Sequence, residues 1–196
     1  MSASRIKLSF VLAGLLAAVL AMLAWTQIWV IAHIGVNPVE IDGAAAAPAL
    51  SALALAGLAL GGALTIAGPV FRVVLGALEV LLGLSVVLAS FSAILDPAGA
   101  AIASVSTLTG VAGDNSVLAL ITDATTTLWP WVGVVSGVLF AAAGIGVLVT
   151  SRRWPGPGRK YQAVRLANAD AAPQSAKDTA IDNWDELSRG SDPTEQ

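Results

Sequence analysis

The sequence contains no cysteine, and its 196 residues include one histidine and two methionines. Without cysteine there is no disulfide framework, no thiolate nucleophile and no thiolate metal site. The single histidine and the two methionines leave no ligand set for haem or copper. A glycine-rich phosphate loop and a metal-ligand cluster are also missing, and His33 has no nucleophile and acid at a recognisable spacing. We therefore predict a protein that is not an enzyme and that carries no cofactor.

Charged residues are also scarce, at 12% of the chain against 56% hydrophobic residues, with a mean hydropathy of +0.79. This composition is typical of an integral membrane protein. Four apolar segments predict transmembrane helices at about residues 8–32, 48–67, 69–95 and 129–150. We predict an all-α fold, a four-helix transmembrane bundle over residues 1–150, followed by a tail over residues 151–196. A signal peptide is the alternative for the first segment, but its length and the lack of a cleavage pattern favour a retained helix.

Basic residues predict the orientation of these segments. All ten lysines and arginines lie before the first segment, between the second and third, or after the fourth. The two other loops, at about residues 33–47 and 96–127, contain none. Because cytoplasmic loops are enriched in Lys and Arg, we predict a protein of the cell membrane with both termini in the cytoplasm.

Glu79 is the one acid in the interior of the apolar segments. An ionised carboxylate at membrane depth costs at least ~2.5 kcal/mol, so Glu79 is expected to be buried, paired, protonated or facing water. Arg72 lies seven residues earlier on the same helix face, roughly 10 Å away along the axis. Two interpretations remain open: Glu79 is a proton-coupled or ligand-contacting carboxylate, or it is a neutral acid that fixes helix packing.

Four tryptophans lie at the predicted outer ends of the first and fourth segments: Trp25, Trp29, Trp129 and Trp131. Trp25 and Trp29 are four residues apart and would share a face of one helix. Tryptophans at this depth commonly form the interfacial aromatic belt. The alternative is an aromatic wall for a flat ligand.

The second outer loop, at residues 96–127, is long for an uncharged segment without structure. An apolar patch from Val117 to Ile121 predicts a short helix on the membrane or over the outer mouth of the bundle. The loop's three aspartates (Asp96, Asp114 and Asp123) are expected to be solvated, with a weak cation site as the alternative. Within the helices, the pairs Gly57–Gly61 and Gly133–Gly137 have the G-x-x-x-G spacing that permits close helix approach.

The tail has a basic proximal part and an acidic distal part. The proximal basic patch is expected to lie on anionic lipid and consists of Arg152, Arg153, Arg159, Lys160 and Arg165. The composition of the distal part is typical of a disordered segment. Near its end, Ile181, Trp184 and Leu187 recur at roughly helical spacing, which suggests a helix-in-groove ligand for a partner. The alternative is that Trp184 folds back onto the membrane or the protein surface.

Several short motifs occur in a specific order along the chain. They are Gln27-Ile28-Trp29, Trp129-Pro130-Trp131, Arg152-Arg153-Trp154, Arg159-Lys160-Tyr161, Asp182-Asn183-Trp184 and Arg189-Gly190-Ser191-Asp192-Pro193-Thr194. With these motifs the chain resembles the actinobacterial tryptophan-associated transmembrane protein family, over nearly its whole length. Ser191 stands where the family ending has an acid. The resemblance implies four spans and a link to tryptophan biosynthesis, and it supplies no catalytic residues.

Two functions of different class follow. The first is an accessory or scaffolding protein that displays a cytoplasmic docking tail, with a soluble enzyme of tryptophan synthesis as one partner. The second is a transport component for tryptophan, indole or a related aromatic metabolite. Four helices rich in Ala and Gly pack tightly and leave little room for a pathway, so a transporter would have to form a homo-oligomer. Membrane lipids are partners in both, and nucleic acid in neither, because the basic cluster adjoins the membrane.

Overall fold

A computed structural model describes residues 3–151 and residue 154 of the chain. In chain order the elements are α1 (Ala3–Trp25), β1 (Ile28–Ile34), β2 (Asn37–Asp42), α2 (Gly43–Ala46), α3 (Leu50–Ile66), α4 (Pro69–Leu95), α5 (Pro97–Thr109), α6 (Asp114–Leu118), β3 (Ile121–Thr126) and α7 (Trp129–Thr150). The described residues are therefore mostly helical, with one small sheet.

Three of the described helices are long and apolar enough to cross a membrane: Arg5–Trp25 within α1, and the whole of α4 and α7. Helix α3 is as apolar but has 17 residues, which corresponds to roughly 25 Å against a hydrocarbon core of about 30 Å. The α4 helix covers the residues predicted for the third segment. Pro69 stands at its start, and Asp96, which precedes Pro97, ends it.

The first predicted segment was wrong at its outer end. The helix stops at Trp25, and residues Ile28–Ile34 form a strand instead of a helical extension to residue 32. This stretch is rich in β-branched residues, and the turn after it contains Gly35 at φ 61°, so a hairpin forms here. Hydropathy alone does not separate an apolar strand from the end of an apolar helix.

The two predicted outer loops combine into one folded unit, which we call the cap (residues 28–46 and 97–126). Its three-stranded antiparallel sheet has the order β2-β1-β3, so the first loop supplies two strands and the second loop supplies the third. Helix α5 contacts all three strands and therefore lies on a face of the sheet. The all-α prediction was wrong in this region, and the single short helix expected at Val117–Ile121 is instead α6 followed by β3.

The four apolar helices contact one another in a ring: α1 with α3, α3 with α4, α4 with α7, and α7 with α1. On each helix, buried residues recur at alternating spacings of three and four. On α4 the series is Arg72, Gly76, Glu79, Gly83, Val86, Ser90 and Ala93. This heptad spacing is the pattern of left-handed helix packing.

Glycines bring α4 and α7 together at their backbones. A Cβ on Gly83 would lie 2.6 Å from the Gly137 carbonyl oxygen, and a Cβ on Gly144 would lie 2.7 Å from the Gly76 carbonyl oxygen. Close approach of this kind requires residues without side chains. Of the two predicted G-x-x-x-G pairs, Gly133–Gly137 faces α4, with Gly137 at its backbone, whereas Gly57 and Gly61 accommodate the side chains of Phe140 and Leu15.

Basic side chains hold the helices together at the end opposite the cap. Lys7 Nζ donates to the carbonyl oxygen of Thr65 at 2.7 Å, and Arg72 Nε donates to that of Ala67 at 2.9 Å. Both acceptors lie at the carboxyl end of α3, where the helix dipole favours cations. The Arg72 guanidinium also lies 5.5 Å from the centre of the Trp154 ring, beyond the end of α7. The start of α1, the α3–α4 turn and the end of α7 therefore lie together.

Candidate functional site

Glu79 is buried inside the helix ring, with 1% of its surface exposed. Its position on the heptad series of α4 turns it toward the neighbouring helices. Its Oε1 atom lies beside Gly14 of α1, where a Cβ would collide with it. Gly14 thus provides the space that the carboxyl group occupies.

The surroundings of Glu79 are apolar and closely packed. One helical turn below it, Gly76 faces Gly144, and one turn above it, Gly83 faces Gly137 and Ala141. The Oε2 atom is buried and has no hydrogen-bond partner within the described residues. A carboxylate without a partner in such surroundings is costly, so the neutral acid is the form that this site favours.

The described charged residues of the four helices lie far along their axes from Glu79. Helices α3 and α7 contain none, and α1 carries Arg5 and Lys7 near its start. Arg72, on α4 itself, is directed to Ala67 and Trp154 at the end of the bundle. Glu79 therefore presents a proton-binding oxygen in an apolar interior, and none of the basic residues among 3–151 lies at its level along the helices.

The four tryptophans predicted at the outer ends of the helices differ in how deeply they are buried. Trp29 is fully buried, and its Nε1 donates to the carbonyl oxygen of Ala24 at 2.6 Å. Because Trp29 lies on β1, it shares no helix face with Trp25, and its ring packs near Gly133 of α7. The interfacial interpretation is wrong for Trp29, since a fully buried ring cannot contact the lipid headgroups.

The other three tryptophans occupy different environments. Trp25 and Trp129 are half-buried against the hydrophobic core beneath the cap, and Trp131 is 48% exposed. The Trp25 Nε1 atom is buried without a hydrogen-bond partner in the described part of the chain. Trp131 is the member of the set whose exposure fits a ring at the membrane surface.

Two of the acids in the outer segments cap helices. Asp42 accepts from the Ala45 amide at 2.9 Å at the start of α2, and Asp96 accepts from the Gly99 amide at 2.8 Å at the start of α5. Side-chain caps of this kind satisfy amides that have no partner inside the helix. Residues 3–151 contain no group of three His, Cys, Asp or Glu side chains that could hold a metal ion.

Two features of the site were missed from sequence. Gly14 was not recognised as the residue that faces Glu79, and Ser90 was not recognised as a buried member of the same α4 series, where its Oγ faces Gly133. The signal for both was the alternation of small residues at spacings of three and four. That pattern is weak in a chain with 19 glycines.

The tail residues singled out from sequence lie outside the described residues. These are Arg152, Arg153, Arg159, Lys160 and Arg165 of the basic patch, and Ile181, Trp184 and Leu187 of the docking segment. Trp154, between them, is described: it is buried, and its Nε1 donates to Thr150 Oγ1 at 2.9 Å.

A family model described as tryptophan-associated transmembrane protein matches residues 8–194. The match covers the apolar helices, the cap and nearly the whole tail. The chain belongs to the tryptophan-associated transmembrane protein family. This confirms the resemblance that the ordered motifs suggested, and the apolar helices agree with the transmembrane character of the family. No curated protein and no solved structure matches the chain significantly.

Proposed function

We propose that this protein is a four-span accessory or scaffolding protein of the cell membrane, without catalytic activity, that displays a cytoplasmic docking tail. The pairing of β1 with β3 carries the membrane part of the proposal. Both strands belong to one sheet and therefore lie on the same side of the membrane. The chain between β1 and β3 must then cross the membrane an even number of times. Because α4 is long and apolar enough to cross, α3 must cross as well.

The orientation follows from charge. The cap residues 28–46 and 97–126 contain no lysine or arginine, whereas Arg5, Lys7 and Arg72 lie toward the opposite end of the helices. By the positive-inside rule, this distribution supports a cap outside the cell and both termini in the cytoplasm.

The packing of the helices favours a scaffolding protein and disfavours a transport pathway through the bundle. The α4 and α7 backbones approach each other closely at four glycines, Gly76, Gly83, Gly137 and Gly144. This contact at the four glycines, which we call the α4–α7 seam, leaves no passage for an aromatic molecule between the two helices. The helices then serve to hold the tail at the membrane, where the sequence around Trp184 has the apolar spacing of a docking helix.

Affinity capture from native membranes tests the docking tail. Full-length protein is expected to recover a soluble partner, such as an enzyme of tryptophan synthesis, that a version ending at Arg165 does not recover. Trp184→Ala should reduce recovery as well, while Ser188→Ala, on the same segment, should leave it unchanged. Equal recovery by the full-length and shortened proteins would refute the docking role.

A second candidate function rests on the free Oε2 atom of Glu79. A buried carboxyl group that can take up and release a proton is a common element of proton-coupled transport. In this alternative the protein is a transport component for tryptophan, indole or a related aromatic metabolite, and the pathway lies between copies of the chain.

Flux measurements in reconstituted vesicles distinguish the two candidates. If the protein transports, Glu79→Gln should abolish proton-coupled aromatic flux, and Glu40→Gln, an exposed acid of the cap, should leave it intact. Flux equal to that of empty vesicles with the unaltered protein would exclude the transport candidate.

A further inference from the structure

The two edges of the cap sheet differ in their ability to accept another strand. Both β2 and β3 are edge strands, because the order is β2-β1-β3. An edge strand presents unpaired N–H and C=O groups that pair readily with another chain unless charge, proline or a covering element prevents it. In hydrocarbon such groups would be costly, so the cap lies in water.

The β2 edge is protected. The two-residue turn at Gly35 and Val36 makes Ile34 and Asn37 the hydrogen-bonded closing pair of the hairpin. Because hydrogen-bonded and non-hydrogen-bonded pairs alternate, the backbone groups of Pro38 and Glu40 face away from β1. Pro38 has no N–H, and Glu40 adds a charge, so this edge lacks a continuous row of donors.

The β3 edge carries one charged side chain, Asp123, but it has no proline, so its outward-facing N–H groups remain available. Thr127 N donates to the Trp29 carbonyl oxygen at 2.9 Å, so Trp29 and Thr127 are a hydrogen-bonded pair. From this pair, hydrogen-bonded and non-hydrogen-bonded pairs alternate along β1 and β3. Thr125 and Asp123 therefore bond to β1, while the backbone groups of Ala124 and Thr126 face outward. Helix α5 lies on the face of the sheet, and no strand within residues 3–151 pairs with this edge.

We propose that β3 pairs antiparallel with β3 of a second copy of this chain, which makes a closed dimer with a six-stranded sheet. A two-fold axis at Ala124 places Ala124 opposite Ala124 of the second copy as a hydrogen-bonded pair. The same axis places Asp123 opposite Thr125 of the second copy, both on the exposed face. The strand is thus complementary to itself, with the smallest side chain on the axis, a hydroxyl facing each carboxylate, and no acid facing an acid.

The protected β2 edge makes this assembly stop at two copies. An isologous contact uses the same surface of both subunits and closes on itself. After it forms, the remaining edges are the two β2 strands, which Pro38 and Glu40 block. Anchoring in one membrane also holds both copies in the same layer, which raises their effective concentration.

Cysteine cross-linking tests the register directly, because the chain contains no cysteine of its own. Opposed residues of a hydrogen-bonded pair have Cα atoms about 5.5 Å apart, within the range that a disulfide spans. We expect Ala124→Cys to form a disulfide-linked homodimer in oxidised membranes. Glu40→Cys, at the outward-facing position of β2, should stay monomeric. A monomer from Ala124→Cys, equal cross-linking of both variants, or a product with a different protein would overturn the proposal.

Two further variants, each with a matched control substitution, test the pairing without a covalent bond. Ala124→Pro removes an outward N–H and leaves the bonds to β1, so it should abolish dimers in detergent, while Glu40→Pro on the other edge should not. Thr125→Asp places acids opposite Asp123 at two symmetric positions and should weaken the dimer roughly tenfold, whereas Thr125→Lys should preserve it. Native mass spectrometry gives the dimer fraction, and circular dichroism shows that each variant is folded. A folded Thr125→Asp variant with the dimer fraction of the unaltered chain would refute this interface.

Discussion

Glu79 and Gly14 form a complementary pair at the centre of the helix ring. The carboxyl group fills the space that a side chain on Gly14 would need. The acid therefore acts first as a packing element, and its unpartnered Oε2 makes it a proton-binding group as well. Both interpretations that the sequence left open for Glu79 thus have a physical basis, and function assays decide between them.

This pairing predicts a non-additive effect on stability. Gly14→Ala should lower the free energy of unfolding by about 1–3 kcal/mol, because the added methyl group displaces the carboxyl group. Glu79→Ala in the same chain should relieve part of this loss, with a coupling of about 0.5–3 kcal/mol, measured by unfolding in detergent.

Glu79→Gln is the matched control for this double-mutant cycle of Gly14→Ala and Glu79→Ala. The amide has nearly the size of the acid, so it should leave the Gly14→Ala penalty in place. Equal penalties in the Glu79→Ala and unaltered backgrounds would contradict the contact between Gly14 and Glu79.

At the scale of the element, the α4–α7 contact depends on glycines that face the backbone of the other helix. Gly76 and Gly83 on α4 meet Gly144 and Gly137 on α7, in antiparallel order. At this separation the two helices gain dispersion contacts along their backbones, which are one of the sources of helix association in lipid.

Substitution of one seam glycine should separate the helices. Gly83→Ala places a methyl group 2.6 Å from the Gly137 carbonyl oxygen, so the backbones must move apart. We expect a loss of about 1–3 kcal/mol in the free energy of unfolding in detergent. Gly62→Ala is the control, because a Cβ at Gly62 has no atom within 4 Å. There, alanine should be neutral or stabilise the helix by up to about 1 kcal/mol. Equal effects of the two substitutions would argue against a close α4–α7 seam.

At the scale of the whole molecule, the cap sheet links both outer segments, and basic side chains link the helix ends on the opposite side. Lys7 and Arg72 bind carbonyl oxygens at the end of α3. The short α3 helix is therefore held at both ends, by the cap at its start and by these cations at its end. In the proposed four-span arrangement, these two attachments hold a helix of 17 residues in place beside its longer neighbours.

The proposed four-span arrangement, with the cap outside, predicts a labelling pattern for single cysteines in intact cells. Val36→Cys and Leu108→Cys, at exposed positions of the cap, should react with a membrane-impermeant maleimide added outside. Thr194→Cys, in the tail, should react only after the membrane is permeabilised. Labelling of Val36→Cys without Leu108→Cys would mean that the two outer segments lie on different sides and would contradict the shared sheet.

Sequence alone was sufficient to find the apolar segments, both ends of α4 and the family. Proline and glycine marked the start of α4, and Asp96 before Pro97 marked its end, because these signals act on the local backbone. The ordered motifs were sufficient for the family, which the match over residues 8–194 confirms. These properties depend on composition and on neighbours along the chain.

Features that depend on residues distant in sequence could be found only from the folded chain. Whether residues 28–34 extend a helix or form a strand depends on partners at residues 37–42 and 121–126. Trp29 is buried because that sheet lies over the helix ends, and Glu79 has room because Gly14 lies on another helix. Local sequence does not encode such contacts, since the free energy of a strand pair or a close glycine contact arises only when both partners meet.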